Sequence, residues 1–260
     1  YGFSGKILNA SINLTKDFSI QNLTTAINHI KSVEGDVFKI EIQKGSIYDL
    51  ELANSTINLK RKKNKTEVQS LLSTSGQFNF SQIKKILSLF NLNINNLNDI
   101  NGKADLKTNV NFNLVKKFKI KNLSYSTKGK ISNLEINTNE GKVINQYLPE
   151  YNTKIIIKDT KIKLINSKSE RKSTLEGFIK IKDNFDSFKI NEIYNYNKKT
   201  FNIIGVADLT NSKIKISRLN YLKKNGEKSE ISFDLNFIFD KYYNIKNLNF
   251  LADKTQINLS

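Results

Sequence analysis

From Leu106 to Leu114 a mostly apolar residue stands at every second position: Leu106, Thr108, Val110, Phe112 and Leu114, with Lys107, Asn109, Asn111 and Asn113 between them. A strand projects successive side chains to opposite faces, so this arm has one apolar face and one wet face. Val115-Lys116-Lys117-Phe118 reverses or offsets the chain, and Ile120-Lys121-Asn122-Leu123-Ser124-Tyr125 opens a return arm. The run from Ile100 to Ile136 therefore reads as a long amphipathic hairpin. Its pattern recurs along most of the chain and commits it to sheet.

The plainest single strand is Ile231 to Phe239. Ile231, Phe233, Leu235, Phe237 and Phe239 share one face, opposed by Ser232, Asp234, Asn236 and Ile238. Lys224-Asn225-Gly226-Glu227, just before it, carries the Asn-Gly pair that favours a tight hairpin. Other strands are read over 3–14, 20–30, 37–42, 68–76, 129–136, 155–165, 174–182 and 201–209. Glu34-Gly35-Asp36 and Lys44-Gly45-Ser46 are turn chemistry, so 47–52 and 57–59 become two short strands after the second turn. Residues 185–196 are ambiguous, since Phe185, Phe188 and Ile193 fit a helix only roughly.

One segment changes period. Ile83, Ile86, Leu87 and Phe90 fall at i, i+3, i+4 and i+7, the stripe of an amphipathic helix. Asn79 or Ser81 can cap its start and Asn91 can end it. Such a helix belongs against a sheet edge or one end of the apolar face. The irregular stretch 141–151, which holds the only proline, Pro149, is the place for a second short helix, giving one or two in all.

A weak repeat, Ile-x-Asn/Arg-Leu, occurs at Ile20–Leu23, Ile120–Leu123, Ile216–Leu219 and Ile245–Leu248. The apolar phase slips between its Ile and its Leu, which places a bulge or kink at the Asn or Arg. The repeat suggests one hairpin unit laid down many times in a meander.

The chain has 260 residues, enough to bury a real core, and 38% of them are apolar. That is below the usual share for globular domains. The deficit suits sheets with one face in water. Cysteine is absent, so neither a disulfide nor a thiolate metal site can form. Methionine is absent even at position 1, read here as the mark of a processed or excised piece whose targeting and anchoring lie elsewhere. The whole of 1–260 is taken as part of a larger protein, with a sub-boundary near 138–152.

The formal net charge is +18. Such a balance can mean nucleic acid or anionic lipid. However, Lys, Asn and Ile are all abundant, as in AT-rich coding sequence, and Lys60-Arg61-Lys62-Lys63 is the one tight basic run. The charge is read as solvated and compositional, and no nucleic-acid partner is expected.

Catalytic chemistry is sparse. With the single histidine His29, no histidine pair can hold a metal, and cysteine–histidine catalysis is excluded. His29 reads as an ordinary surface or edge residue. No nucleophile elbow, P-loop or dinucleotide fingerprint occurs. Carboxylates such as Asp105 and Asp234 fall on the polar side of alternating strands. No enzyme, metal or cofactor is expected. The aromatics Phe112, Phe233, Phe237 and Phe239 alternate in line with aliphatics, which fits either a closed sandwich core or the floor of an open apolar groove.

The order of signals over 20–136 resembles the AsmA-like superfamily of bacterial envelope proteins, specifically its large YhdP-type members. The resemblance is carried by a strand ending in Val33-Glu34-Gly35, the strand Val37–Ile42, and a Gly45-led strand pair. The 80–90 helix follows, and then Ile100-Asn101-Gly102-Lys103-Ala104-Asp105-Leu106 opens a long strand. Gly102–Tyr125 repeats the family's glycine, alternating strand and Ile-x-x-Leu-x-aromatic sequence. The resemblance implies a mainly β fold: an elongated, curled antiparallel meandering sheet with an apolar groove. It also implies non-enzymatic lipid binding or transfer between inner and outer membranes, with phospholipid acyl chains as cargo. The parent would lie in the periplasm or cell envelope, anchored in the inner membrane, and would meet membrane through regions outside these residues. The groove would be lined by Leu106, Val110, Phe112, Leu114, Ile231, Phe233, Leu235, Phe237 and Phe239. The alternatives are a structural or adhesive envelope β-module and a basic nucleic-acid binder.

Overall fold

The computed structural model describes the chain except residues 16–17, 34, 89–98, 117–118, 138–153, 181–183, 239–241, 254 and 260. Strand follows strand in chain order. β1 (Gly2–Thr15), β2 (Phe18–Ser32), β3 (Gly35–Ile47), β4 (Leu50–Lys62) and β5 (Lys65–Asn79) precede the helix α1 (Phe80–Ser88). β6 (Asp99–Val115), β7 (Lys119–Asn137), β8 (Lys154–Asn166), β9 (Glu170–Lys180), β10 (Phe185–Asn195) and β11 (Thr200–Asp208) come next. A small hairpin, β12 (Ile214–Ile216) and β13 (Tyr221–Lys223), then interrupts the series. β14 (Ser229–Ile238), β15 (Tyr242–Ala252) and β16 (Thr255–Leu259) complete it. All but β12 and β13 join one long antiparallel meander, each strand hydrogen-bonded to its predecessor in that sheet.

The chain divides into two compact units. The first comprises Tyr1–Ile94, Lys103–Lys130 and Ile165–Lys168; the second comprises Asn95–Gly102, Ile131–Leu164 and Ser169–Ser260. The irregular stretch 141–151 and the sub-boundary expected near it lie outside the described residues.

In the first unit Leu23, Ile42 and Leu52 are buried together, with Ile20, Ile40, Ile47 and Ile57 packed against them. Bulges punctuate these strands: the pairing slips between Ile7 and Ala10 on β1, between Gln21 and Thr24 on β2, and between Leu52 and Thr56 on β4. At these slips Asn9, Asn22 and Asn54 have φ of 49°, 51° and 50°. Asparagine tolerates that left-handed backbone better than residues with bulkier side chains, which is why a bulge selects it. The amide backbone a bulge leaves unpaired needs a new partner. Buried Ser55 supplies one, accepting from the Ser73 N–H at 2.9 Å. Buried Thr25 donates to the Glu41 carbonyl at 2.8 Å.

The bulge expected at the Ile-x-Asn/Arg-Leu repeats is present at Asn22, and Asn122 in the second copy has φ 54°. In the fourth copy the slip skips Lys246, one residue before Asn247. The third copy departs altogether: Ile216 ends β12, and Ser217–Leu219 form a 3₁₀ turn closed by Asn220 at φ 49°.

Several local expectations need correcting. Lys44-Gly45-Ser46 is not a turn; β3 runs straight through it to Ile47, and the reversal comes at Tyr48-Asp49. Gly45 is there for space, since a Cβ on it would press on Ile20 and Leu23 at 3.3 and 3.4 Å. Residues 47–52 and 57–59 are therefore not two strands: β4 is one strand bent at its bulge. Residues 185–195 are strand β10, with no helix. The turn at Asn225-Gly226 is real, but it joins β13 to β14, which belong to different sheets, so it makes no hairpin. The turn expected at Glu34-Gly35-Asp36 falls earlier, since Gly35 already opens β3 opposite Ser32 and Glu34 lies outside the described residues. The φ of Gly35 is +128°, and a Cβ on it would collide with the Arg61 carbonyl oxygen.

The helix starts at Asn79, not Ser81. The Asn79 side chain accepts from the Gln82 N–H, and the Gln82 side chain accepts from the Asn79 N–H, both at 3.0 Å. This reciprocal cap satisfies two otherwise orphaned donors. Gln82 also donates to Asp49 at 2.7 Å, tying α1 to the β3–β4 turn. Phe90 and Asn91 lie outside the described residues.

Candidate functional site

In the first unit the β6 pattern is realised from Lys103 to Phe112, while the polar position Asn113 is half-buried. Lys103, Asp105, Lys107, Asn109 and Asn111 are exposed, while Leu106, Thr108, Phe112 and Leu114 are half-buried and Val110 is buried, 8% exposed. The row is not wholly apolar: Thr108 and Thr127 share a hydrogen bond of 3.1 Å across β6 and β7.

His29 is misplaced by the sequence reading as a surface residue. It is buried, its ring stacked on Phe38 with centroids 4.4 Å apart and tilted 5.0 Å from Phe3, while Nε2 lies 3.3 Å from Asp36. The β1–β2–β3 register aligns Phe3, His29 and Phe38 in one cross-strand row, so a flat polar ring fills a slot among apolar ones.

In the second unit Ile231, Phe233, Leu235 and Phe237 share a face of β14, and each stands within a cross-strand row. Ile231 lies between Ala207 and Phe250, Phe233 between Gly205 and Leu248, Leu235 between Ile203 and Ile245, and Phe237 beside Phe201. Phe201 stacks on Phe237 with centroids 5.1 Å apart and rings 8° from parallel, and Tyr194 continues the ladder 4.3 Å from Phe201. The Phe233 ring occupies the space a Cβ on Gly205 would take, so only glycine fits beneath it. Phe239 lies outside the described residues.

This face is bounded at both ends. At one, the β12–β13 hairpin lays Ile214, Ile216 and Tyr221 over Phe250, Ala252 and Ile231. Burial raises the Tyr221 hydroxyl pKa above its ordinary value. Two polar anchors hold the excursion down. Lys223, fully buried, donates to the carbonyls of Thr210, Ser212 and Lys224 at 3.0, 2.7 and 3.0 Å. Buried Asp186 accepts from the Asn211 N–H at 2.9 Å and the Ser212 hydroxyl at 2.7 Å. Desolvation pushes the Lys223 pKa down, with Asp186, Glu227 and Asp208 opposing that shift. At the other end Arg171 pairs with Glu192, which also accepts from Ser173 at 2.9 Å. Arg171 lies 5.7 Å from the Tyr194 ring centroid, and burial raises the pKa of nearby Tyr196.

The second unit also holds a concavity of about 970 Å³. None of the residues expected to line a groove borders it. It opens on the opposite side of these strands, around the row Phe178, Ser187, Asp208, Glu230 and Leu251. Its rim mixes lysines and carboxylates, Glu176 and Lys189 pairing at 3.2 Å.

Among the described residues no group of three His, Asp or Glu side chains is placed to hold a metal ion. No described helix is long and apolar enough to cross a membrane. No protein-family model, no curated protein and no solved structure matches this chain.

Proposed function

We propose that this chain is a non-enzymatic lipid-binding segment of an AsmA-like, YhdP-type envelope protein. Its apolar sheet face would serve as a groove along which phospholipid acyl chains pass between inner and outer membranes. The parent protein would be anchored in the inner membrane and work in the periplasm. In the first unit Leu106, Val110, Phe112 and Leu114, and in the second Ile231, Phe233, Leu235, Phe237 and Phe239, would each supply a stretch of apolar floor.

One observation carries the reading: of the eight described residues proposed to line the path only Val110 is buried, whereas seven stay half-buried. A closed sandwich inverts that ratio, because both inner faces are removed from water. Half-buried rows such as Phe201–Phe237 offer acyl chains an apolar floor, worth roughly 0.8 kcal/mol per methylene covered. That gain changes little from row to row, so a chain can slide without a deep trap.

The test is mass spectrometry of lipid that co-purifies with the folded chain, comparing wild type with Phe237→Glu. The expected result is phospholipid on the wild type and its loss from the variant, which stays folded. A wild type without lipid, together with a variant that melts at room temperature, would favour a closed structural or adhesive module instead.

A further inference from the structure

The basic residues of the first unit look scattered in sequence, but the meander gathers them. Turns after even-numbered strands fall at one end of the sheet and turns after odd-numbered strands at the other, because each strand is antiparallel to the last. The registers Lys31↔Asp36, Asp36↔Arg61 and Lys62↔Lys65 align the β2–β3 and β4–β5 turns. The Ser70 hydroxyl donating to the Val110 carbonyl at 3.4 Å, and the Thr108–Thr127 pair, extend that alignment to the β6–β7 turn.

At this end stand Lys31 beside the first turn, Arg61, Lys62 and Lys65 beside the second, and Lys63 within it. Lys116 and Lys119 flank the third. Against these seven cations the described residues there set Asp36 and Glu67. Glu67 is held by Lys62 at 2.9 Å and Lys65 at 2.7 Å, which lower its pKa to about 2. At the opposite end of the same unit the balance is closer: Lys44, Lys84, Lys85, Lys103, Lys128 and Lys130 stand against Asp49, Glu51 and Asp105. The asymmetry between the two ends is one of place, which composition alone does not produce.

Exposed apolar groups accompany the cations. Val33 is fully exposed at the tip of the β2–β3 turn, Tyr1 is 87% exposed and held by Lys31 at 3.1 Å, and Ile120 is exposed beside Lys119. Cations beside an aromatic ring and aliphatic tips suit a bilayer's headgroup layer, where the charges meet phosphates and the tips enter the acyl boundary. A phosphate-backbone site on nucleic acid has no use for a projecting valine.

We propose that this end of the first unit, formed by the described residues in the turns after β2, β4 and β6 and at the strand ends next to them, docks on an anionic lipid bilayer. The surface is separate from the apolar face, and docking does not require that face to carry lipid. A failure of one proposal is therefore visible without the other, because co-purifying lipid and vesicle binding are read separately.

The test is co-sedimentation of the full chain with phosphatidylcholine vesicles, with and without phosphatidylglycerol, and with duplex DNA as competitor. Binding only to the phosphatidylglycerol vesicles, falling as salt rises, is the expected result. Each surface lysine contributes roughly 1 kcal/mol at such a membrane, about a fivefold effect. The variant Lys63→Glu/Lys116→Glu/Lys119→Glu should therefore weaken binding by about a hundredfold. The control Lys44→Glu/Lys84→Glu/Lys85→Glu makes the same charge change at the other end and should stay within severalfold of wild type. Val33→Ser, which removes the apolar tip without adding charge, should cost severalfold without altering the salt slope. Equal losses in the two triple variants would overturn the proposal, since total charge would then decide. So would equal binding to neutral vesicles, or DNA binding that persists at physiological salt while vesicle binding is absent.

Discussion

β6 and β14 carry the two clearest alternating patterns in the chain, yet their surroundings differ. On β6 the polar positions from Lys103 to Asn111 stand in water and the apolar ones between them are covered, and only at Asn113 does a polar position become half-buried. On β14 every residue from Ile231 to Ile238 is half-buried, polar positions included. The cause lies in what fills the polar positions. β6 puts out Lys103, Asp105 and Lys107, whose charged ends remain solvated. β14 puts out Ser232, Asp234 and Asn236, which lie against their neighbours: Asp234 accepts from Asn202 at 3.0 Å, and Asn236 faces Asn202 and Asn244 across the ladder. A period of two says which side a residue faces. How deeply it is covered depends on the side chains of adjacent strands, which the strand's own sequence does not hold.

A carboxylate placed on each strand separates the two most strongly. Val110→Asp buries an unpaired charge on β6 and should cost roughly 3–5 kcal/mol. Phe237→Glu, half-buried and within reach of water, should give up about half of a phenylalanine's burial, roughly 1 kcal/mol. Urea denaturation of both variants measures the difference. Equal losses would mean that the face around Phe237 is closed by a second layer. Phe237 is thus the clean probe of lipid cargo and Val110 the probe of fold.

A somewhat smaller effect is expected at Lys223, the anchor found only in the second unit. Lys223→Met removes three donors and strands the carbonyls of Thr210, Ser212 and Lys224, at about 2–3 kcal/mol. Because the anchor holds the β12–β13 hairpin, hydrogen exchange should rise first in residues 209–228, with β6 unaffected. Uniform loss of protection throughout the chain would show that the hairpin is no separate covering.

How much of this was legible follows from the same physics. Strand alternation, the β6–β7 hairpin and the helix with its Asn79 cap depend on local spacing, and they were readable. Gly45 was mistaken for a turn because a glycine needed for close packing looks no different in sequence from one needed for its backbone. The 185–196 segment misled because Phe185 and Ile193 fall on the face opposite Phe188, Ile190 and Tyr194, imitating a loose helical stripe. Lys223 left no signal, since its acceptors are backbone carbonyls brought together by the chain's course. The charged concavity escaped for a related reason: Phe178, Asp208, Glu230 and Leu251 meet only through register across several strands. The apolar face was visible strand by strand, but its Arg171–Glu192 boundary was not.

Asparagine offers a finer comparison. Asn54 occupies a bulge at φ 50°, whereas Asn236 lies in regular strand. Asn54→Ala should cost about 1 kcal/mol through left-handed strain, and Asn54→Gly should be nearly neutral. Asn236→Ala should show no backbone penalty of this kind. Thermal melts of the three variants check it. If Asn54→Ala and Asn54→Gly melt together, the bulge does not select its residue.

The smallest expected effect concerns acid. Glu67 bridges Lys62 and Lys65 at the basic end of the first unit, and these hydrogen bonds lower its pKa from 4.5 to about 2 in the folded chain. In the unfolded chain the group regains its ordinary value, so between those two values the unfolded state binds the extra proton. The contribution is therefore fully present above about pH 4.5 and is lost progressively as the pH falls towards 2. The site is exposed, so water and salt screen the interaction and only a shallow change is expected. Glu67→Gln should flatten the dependence of stability on pH in this window and leave stability near neutrality little changed. Added salt should flatten the wild-type curve in the same way. An acid limb as steep in Glu67→Gln as in wild type would place the titrating group elsewhere, and the two lysines would then be free to serve the basic end without their acidic clamp.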